Sequence, residues 1–115
     1  MNRQEKNQLY IENRKKILPQ YGQGCVKITN ETLEHFLVKS QVMYWLHLNK
    51  WETYSECFIQ GSKARPDIVA LNKNGMAYCI EILKSESDKM CDTKDYPFPI
   101  IKVYVKDFDY KTFCL

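Results

Sequence analysis

The sequence lacks any long hydrophobic run: its apolar stretches fall well short of the roughly 20 residues a membrane helix needs. The opening MNRQEKNQ is polar where a secretory leader turns apolar. No membrane partner is expected, and the chain reads as cytoplasmic. Glycine and proline are scarce, four of each in 115 residues, which excludes collagen-like and low-complexity architectures. Gly22 and Gly24 in QYGQG have no strand–turn–helix context and make no phosphate loop. The five cysteines, Cys25, Cys57, Cys79, Cys91 and Cys114, are odd in number and scattered. Without metal-ligand spacing they predict buried or free thiols rather than a zinc site. Charge of one sign is also missing, since 17 Lys and Arg against 14 Asp and Glu leave +3. That permits a nucleic-acid partner without the basic coat of a protein that binds by charge alone.

What is present is the composition of an ordinary globule, 44% hydrophobic and 27% charged, with a length suited to one domain over 1–115. Residues 1–24 read as an N-terminal helix and linker, and 25–115 as the core. A helix is predicted over 4–18, ending before Pro19 with Arg14, Lys15 and Lys16 in its last turn. A longer helix is predicted over 31–49, with Thr29 or Asn30 as its N-cap. Its apolar residues Leu33, Phe36, Leu37, Met43 and Tyr44, widened by Val38, Val42, Trp45 and Leu46, predict packing on more than one side. WETYSECFI, PDIVAL, MAYCIEIL and IIKVYV read as strands. NKNG joins the middle two as a hairpin in which Asn74 and Gly75 can take positive φ. The polar SESDKMCDTKD is expected to hold a short helix. This order gives an α/β fold, an α+β sandwich with helices covering a mixed sheet.

Two acids stand out in RPDIVALNKNGMAYCIEILKSES, residues 65–87. By strand alternation Asp67 shares a face with Val69 and Leu71, and Glu81 with Cys79 and Leu83. If NKNG pairs the strands, Asp67 and Glu81 are cross-strand neighbours toward the open end of the hairpin. Like charges so placed repel unless a cation neutralises them. Two carboxylates are hard oxygen ligands suited to Mg²⁺ or Mn²⁺, ions that promote phosphodiester hydrolysis. Glu56 on the preceding strand is a candidate third carboxylate. His35 keeps a chance of touching the site, and Lys39 is its neighbour one helical turn on.

The order of a long helix with an acid near its start, a strand, a strand opening on Pro66-Asp67, a turn, a strand carrying Glu81 and a later strand resembles the PD-(D/E)xK nuclease superfamily. The resemblance runs from about Glu31 to Val105. It implies a restriction-endonuclease-like core, a four-stranded mixed sheet flanked by helices, with Asp67 and Glu81 as the motif acids and metal ligands. It also implies an assisting acid from the helix, Glu34 or Glu31, with Glu34 the expected one. The motif lysine is expected two residues past Glu81, where this chain has Leu83, with the lysine at Lys84. In a regular strand Lys84 points to the other face, so a β-bulge near Ile82 or Leu83 is required to bring it to Glu81. Lys63, Arg65 and Lys39 are the other cations available to the site or to nucleic acid.

The expected activity is metal-dependent cleavage of DNA phosphodiesters. A chain close to the minimal core, with no appended recognition domain, is expected to work as a homodimer, a junction- or structure-selective enzyme, or a subunit of something larger. The alternative is a nuclease-fold module without chemistry that binds nucleic acid or a protein, and Leu83 is its evidence.

Overall fold

The computed structural model of the chain describes residues 1–84 and 95–115. The expected short helix in SESDKMCDTKD falls almost wholly outside the described residues, as does Cys91. Helix α1 spans Arg3–Lys16 and opens on a reciprocal capping box, in which the Asn2 side chain accepts from the Glu5 N–H and Glu5 reaches back to the Asn2 N–H. The helix stops two residues earlier than predicted, because Ile17–Leu18 pair as a short strand, β1, with β3 (Phe58–Ile59).

Helix α2 spans Leu33–Leu48. Its N-cap is Thr32, which accepts from the His35 N–H at 3.2 Å, in place of the predicted Thr29 or Asn30. Thr29 is engaged elsewhere: its N–H and hydroxyl both donate to the Glu31 carboxylate, at 3.0 and 2.9 Å, so Glu31 sits in a turn ahead of the helix. After α2 the chain forms β2 (Glu52–Ser55), β3, β4 (Ile68–Leu71), β5 (Ala77–Leu83) and β6 (Ile100–Tyr104), then a 3-10 turn over Val105–Asp107. WETYSECFI is thus two strands rather than one, broken where Glu56 takes a left-handed φ of 52°.

The main sheet has the order β2-β4-β5-β6, with the first two pairings antiparallel and β5–β6 parallel. This is the four-stranded mixed sheet flanked by helices that the sequence implies, and it is compatible with a restriction-endonuclease-like core. The β4–β5 turn is closed by the Asn72 side chain, which accepts from the N–H groups of Asn74 and Met76, both at 3.0 Å. Only Gly75 there takes positive φ, 87°. A Cβ at Gly75 would come within 2.7 Å of Leu9 on α1, so glycine serves both the turn and the docking of that helix.

Alternation along β4 and β5 divides the core. Val69, Leu71, Ala77 and Cys79 pack with Ile17, Tyr54, Ile59 and Phe98 beneath α1 and the small ladder. Ile68, Ala70, Ile80 and Ile82 pack against Val38, Val42, Met43 and Leu46 of α2. No described helix is long and apolar enough to cross a membrane.

Candidate functional site

The strand ends position the acids. β2 pairs Ser55 with Ile68, and β4 pairs Ile68 with Ile80. One step further along these registers sets Glu56, Asp67 and Glu81 abreast on three neighbouring chains, and the Glu56 N–H donates to the Asp67 carbonyl at 3.1 Å. Asp67 and Glu81 are therefore opposite one another, as the hairpin predicts.

Each carboxylate, however, engages a donor of its own, although both act on the Tyr96 hydroxyl. Asp67 Oδ2 accepts from the Ile82 N–H at 2.8 Å and faces His35 Nε2 on α2 at 3.5 Å. Glu81 is buried, and its Oε1 accepts from the Tyr96 hydroxyl, on a ring packed with the core on the α1 side. Burial first, then the Glu81 hydrogen bond, pushes the Tyr96 hydroxyl pKa far up. Tyr96 lies 15 residues from Glu81 in the chain, and no local pattern marks it.

On the α2 side a charged network surrounds Asp67. Lys39 is wholly buried, and its Nζ donates to Glu31 Oε2 at 2.7 Å and to the Lys27 carbonyl at 2.9 Å, with Glu56 Oε1 at 3.6 Å. Glu31 Oε1 lies 2.5 Å from His35 Nδ1. Burial alone would raise the Glu31 carboxyl, but hydrogen bonds from Lys39, Thr29 and His35 outweigh it and hold it at about 2. His35 is raised to about 9 by Asp67 foremost and then, against burial, by Glu31. Glu56 is raised by burial first and by the nearby Asp67 charge, with Lys39 and Arg65 opposing. Its left-handed backbone turns its carboxylate toward Lys39, and Arg65 Nε approaches it at 3.3 Å from the solvent side.

These groups line an open cleft of about 560 Å³ that holds Glu31, His35, Glu56, Asp67 and Lys84 at the N-terminal end of α2. Lys84 reaches it without the expected bulge, since β5 and β6 pair in unbroken register through Leu83 and Tyr104. Lys84 continues the Ile80–Ile82 face toward α2. The Asp67 carboxylate has turned to that same face, so Lys84 joins Asp67 rather than Glu81. Leu83 is buried.

Two expectations are placed differently. Of the two helix-start acids the structure brings Glu31 to the cleft, while Glu34 is exposed on the first turn of α2. Lys39, expected to face nucleic acid, is sealed inside, because two carboxylates and a carbonyl solvate its ammonium there in place of water. Lys63 and Arg65 are exposed, and Arg65, 3.3 Å from Glu56 of the cleft, also lies over the Phe58 ring. A usable signal for the network is the spacing of Glu31, His35 and Lys39, each four residues after the last.

The family model for the nuclease-like domain of the competence protein CoiA matches residues 31–90. The chain belongs to the CoiA nuclease-like domain family. That match is consistent with the PD-(D/E)xK resemblance, and it contains Glu31, His35, Lys39, Glu56, Asp67, Glu81 and Lys84. The α1 helix, β6 and Tyr96 lie outside the part matched to the CoiA domain. No curated protein and no solved structure matches the chain.

Proposed function

We propose that this CoiA-type domain is a metal-dependent DNA endonuclease acting in the cytoplasm, selective for DNA structure, with Asp67 and Glu81 holding Mg²⁺ or Mn²⁺. The observation that carries this reading is that Asp67, which lines the cleft with His35 and Lys84, lies one register step beyond the Ile68–Ile80 pair and so opposite Glu81 on the next strand. The donor chemistry fits a hard cation: two carboxylates on adjacent strands would hold Mg²⁺ or Mn²⁺, with water and substrate phosphate as further oxygen donors. Among the described residues no group of three His, Cys, Asp or Glu side chains is arranged to hold a metal, so the remaining positions fall to those oxygens. A bound divalent ion supplies positive charge against the phosphate and acidifies water at the site.

The chain's own residues do the rest. Lys84 at the rim meets a phosphate oxygen in place of the missing motif lysine, and Lys63 and Arg65 hold the DNA backbone beside it. Glu31 fixes the ring of His35 through Nδ1, leaving Nε2 directed at Asp67. Lys39 positions Glu31 and touches no substrate.

The experiment is incubation of the purified chain with supercoiled, linear, single-stranded and branched DNA in Mg²⁺, Mn²⁺ or EDTA. Metal-dependent cleavage is expected, reduced at least about 100-fold by Asp67→Ala and by Glu81→Ala. Absence of cleavage on every substrate overturns the proposal. A second reading, a DNA-binding module without chemistry, is favoured by the buried Leu83 at the motif position. It requires binding that weakens with salt yet ignores both substitutions.

A further inference from the structure

The sequence places apolar residues on two sides of α2, and the fold covers only one. Val38, Val42, Met43 and Leu46 are buried against the sheet. Leu33, Leu37, Tyr44 and Leu48 are 71%, 49%, 58% and 55% exposed. At about 100° per residue these four fall within an arc of roughly 60°, so they form one stripe along the whole helix. An apolar stripe of this continuity on a charged surface marks an interaction site.

We propose that the occupant is a second copy of this chain, packed α2 against α2, antiparallel about a two-fold axis between Ser40 and Gln41. The stripe is self-complementary in that register. Leu33 meets Leu48 of the partner subunit, and Leu37 meets the partner's Tyr44. Glu34, in the first turn, meets the partner's His47 in the last turn, so acid faces base at both ends and the helix dipoles oppose. At the axis Ser40 is small, and its hydroxyl already donates to the Phe36 carbonyl at 2.8 Å, so contact there strands no polar group. A different partner would not require the stripe to match its own reverse.

Area sets the strength. A 16-residue helix is about 24 Å long and about 10 Å across, so one face of it offers less than the ~800 Å² per partner of a standard interface. Tyr110, its ring 6.3 Å from that of Tyr44, extends the contact. A flanking cleft of about 410 Å³ lined by Ser40, Tyr44 and His47 extends it further. The expected dimer therefore has a dissociation constant of ~1–50 µM. The pairing leaves each cleft at an opposite end of the helix pair, and it stands whether or not the domain cleaves DNA.

Sedimentation equilibrium of the whole chain over about 1–200 µM tests it. A monomer–dimer equilibrium is expected, with Leu37→Glu raising the dissociation constant at least ~100-fold, because both copies lose an apolar contact. Leu37→Ala moves it in the same direction, and far-UV circular dichroism stays unchanged in both variants. Glu34→Lys and His47→Glu each weaken the dimer about fivefold, and the two together restore it. A wild-type chain still monomeric at the highest concentration overturns the proposal. So does a Leu37→Glu chain that dimerises normally, or a double swap that does not recover.

Discussion

The two faces of the sheet treat the same row of acids in different ways. On the α2 face, Glu31, Glu56 and Asp67 are met by cations: buried Lys39, His35, and Arg65 and Lys84 at the rim. On the α1 face, Glu81 is met by the neutral Tyr96 hydroxyl within an apolar cluster. A cation among carboxylates favours their ionised state as well as their geometry, whereas a hydroxyl donates a hydrogen bond that carries no net charge. The α2 face therefore holds its acids largely by charge, whereas Glu81 is held in part by a neutral donor.

The largest way to break this contrast is Lys39→Met. The side chain is of similar length and wholly apolar, but Glu31 and Glu56 lose their shared cation inside the protein. Leaving buried charge without its partner costs about 3–5 kcal/mol, to be read as a lower urea midpoint with an unchanged slope. An effect below about 1 kcal/mol would mean that Lys39 merely fills space.

Acid and base should dismantle the same face from opposite directions. Glu31 is lowered from 4.5 to about 2, so its contribution, about 3 kcal/mol at most, is complete above pH 4.5 and is lost as pH falls toward 2. His35 is raised from 6.5 to about 9, so its contribution is complete below pH 6.5 and is lost as pH rises through 9. The two shifts share the Glu31–His35 contact and are therefore not summed, although His35 leans first on Asp67 and Glu31 on Lys39. Urea unfolding in EDTA at stepped pH should show a plateau between about pH 4.5 and 6.5. Glu31→Gln should flatten the acid limb and reduce the alkaline one.

The contrast between faces was only half legible in the sequence. Alternation and the Asn72–Gly75 turn were enough to set Asp67 opposite Glu81, because a one-residue slip would have put Val69 and Cys79 into water. The same alternation placed Lys84 on the α2 face. It could not say that Asp67, beyond the regular strand, turns its carboxylate to that face as well. Glu31 and Glu34 look equivalent at a helix start, and the choice is made by Lys39 two turns on and by Thr29, which anchors Glu31 outside the helix. Nothing in WETYSECFI marks Glu56 as left-handed. Tyr96 is joined to Glu81 through the tertiary fold alone, and the uncovered stripe on α2 became visible only once one side of the helix was seen to be satisfied.

The smallest expected change lies on the α1 face. Tyr96→Phe keeps the ring in its apolar cluster and removes only the hydroxyl that Glu81 accepts from. Loss of one such bond costs about 1–2 kcal/mol, well below the effect of Lys39→Met. The same deletion removes a donor that competes with a cation for Glu81 Oε1. Mn²⁺ titration followed by calorimetry should therefore show tighter binding by Tyr96→Phe than by the wild-type chain, even though the variant unfolds more easily. Loss of stability together with weaker Mn²⁺ binding would assign the hydroxyl to positioning Glu81 for the metal.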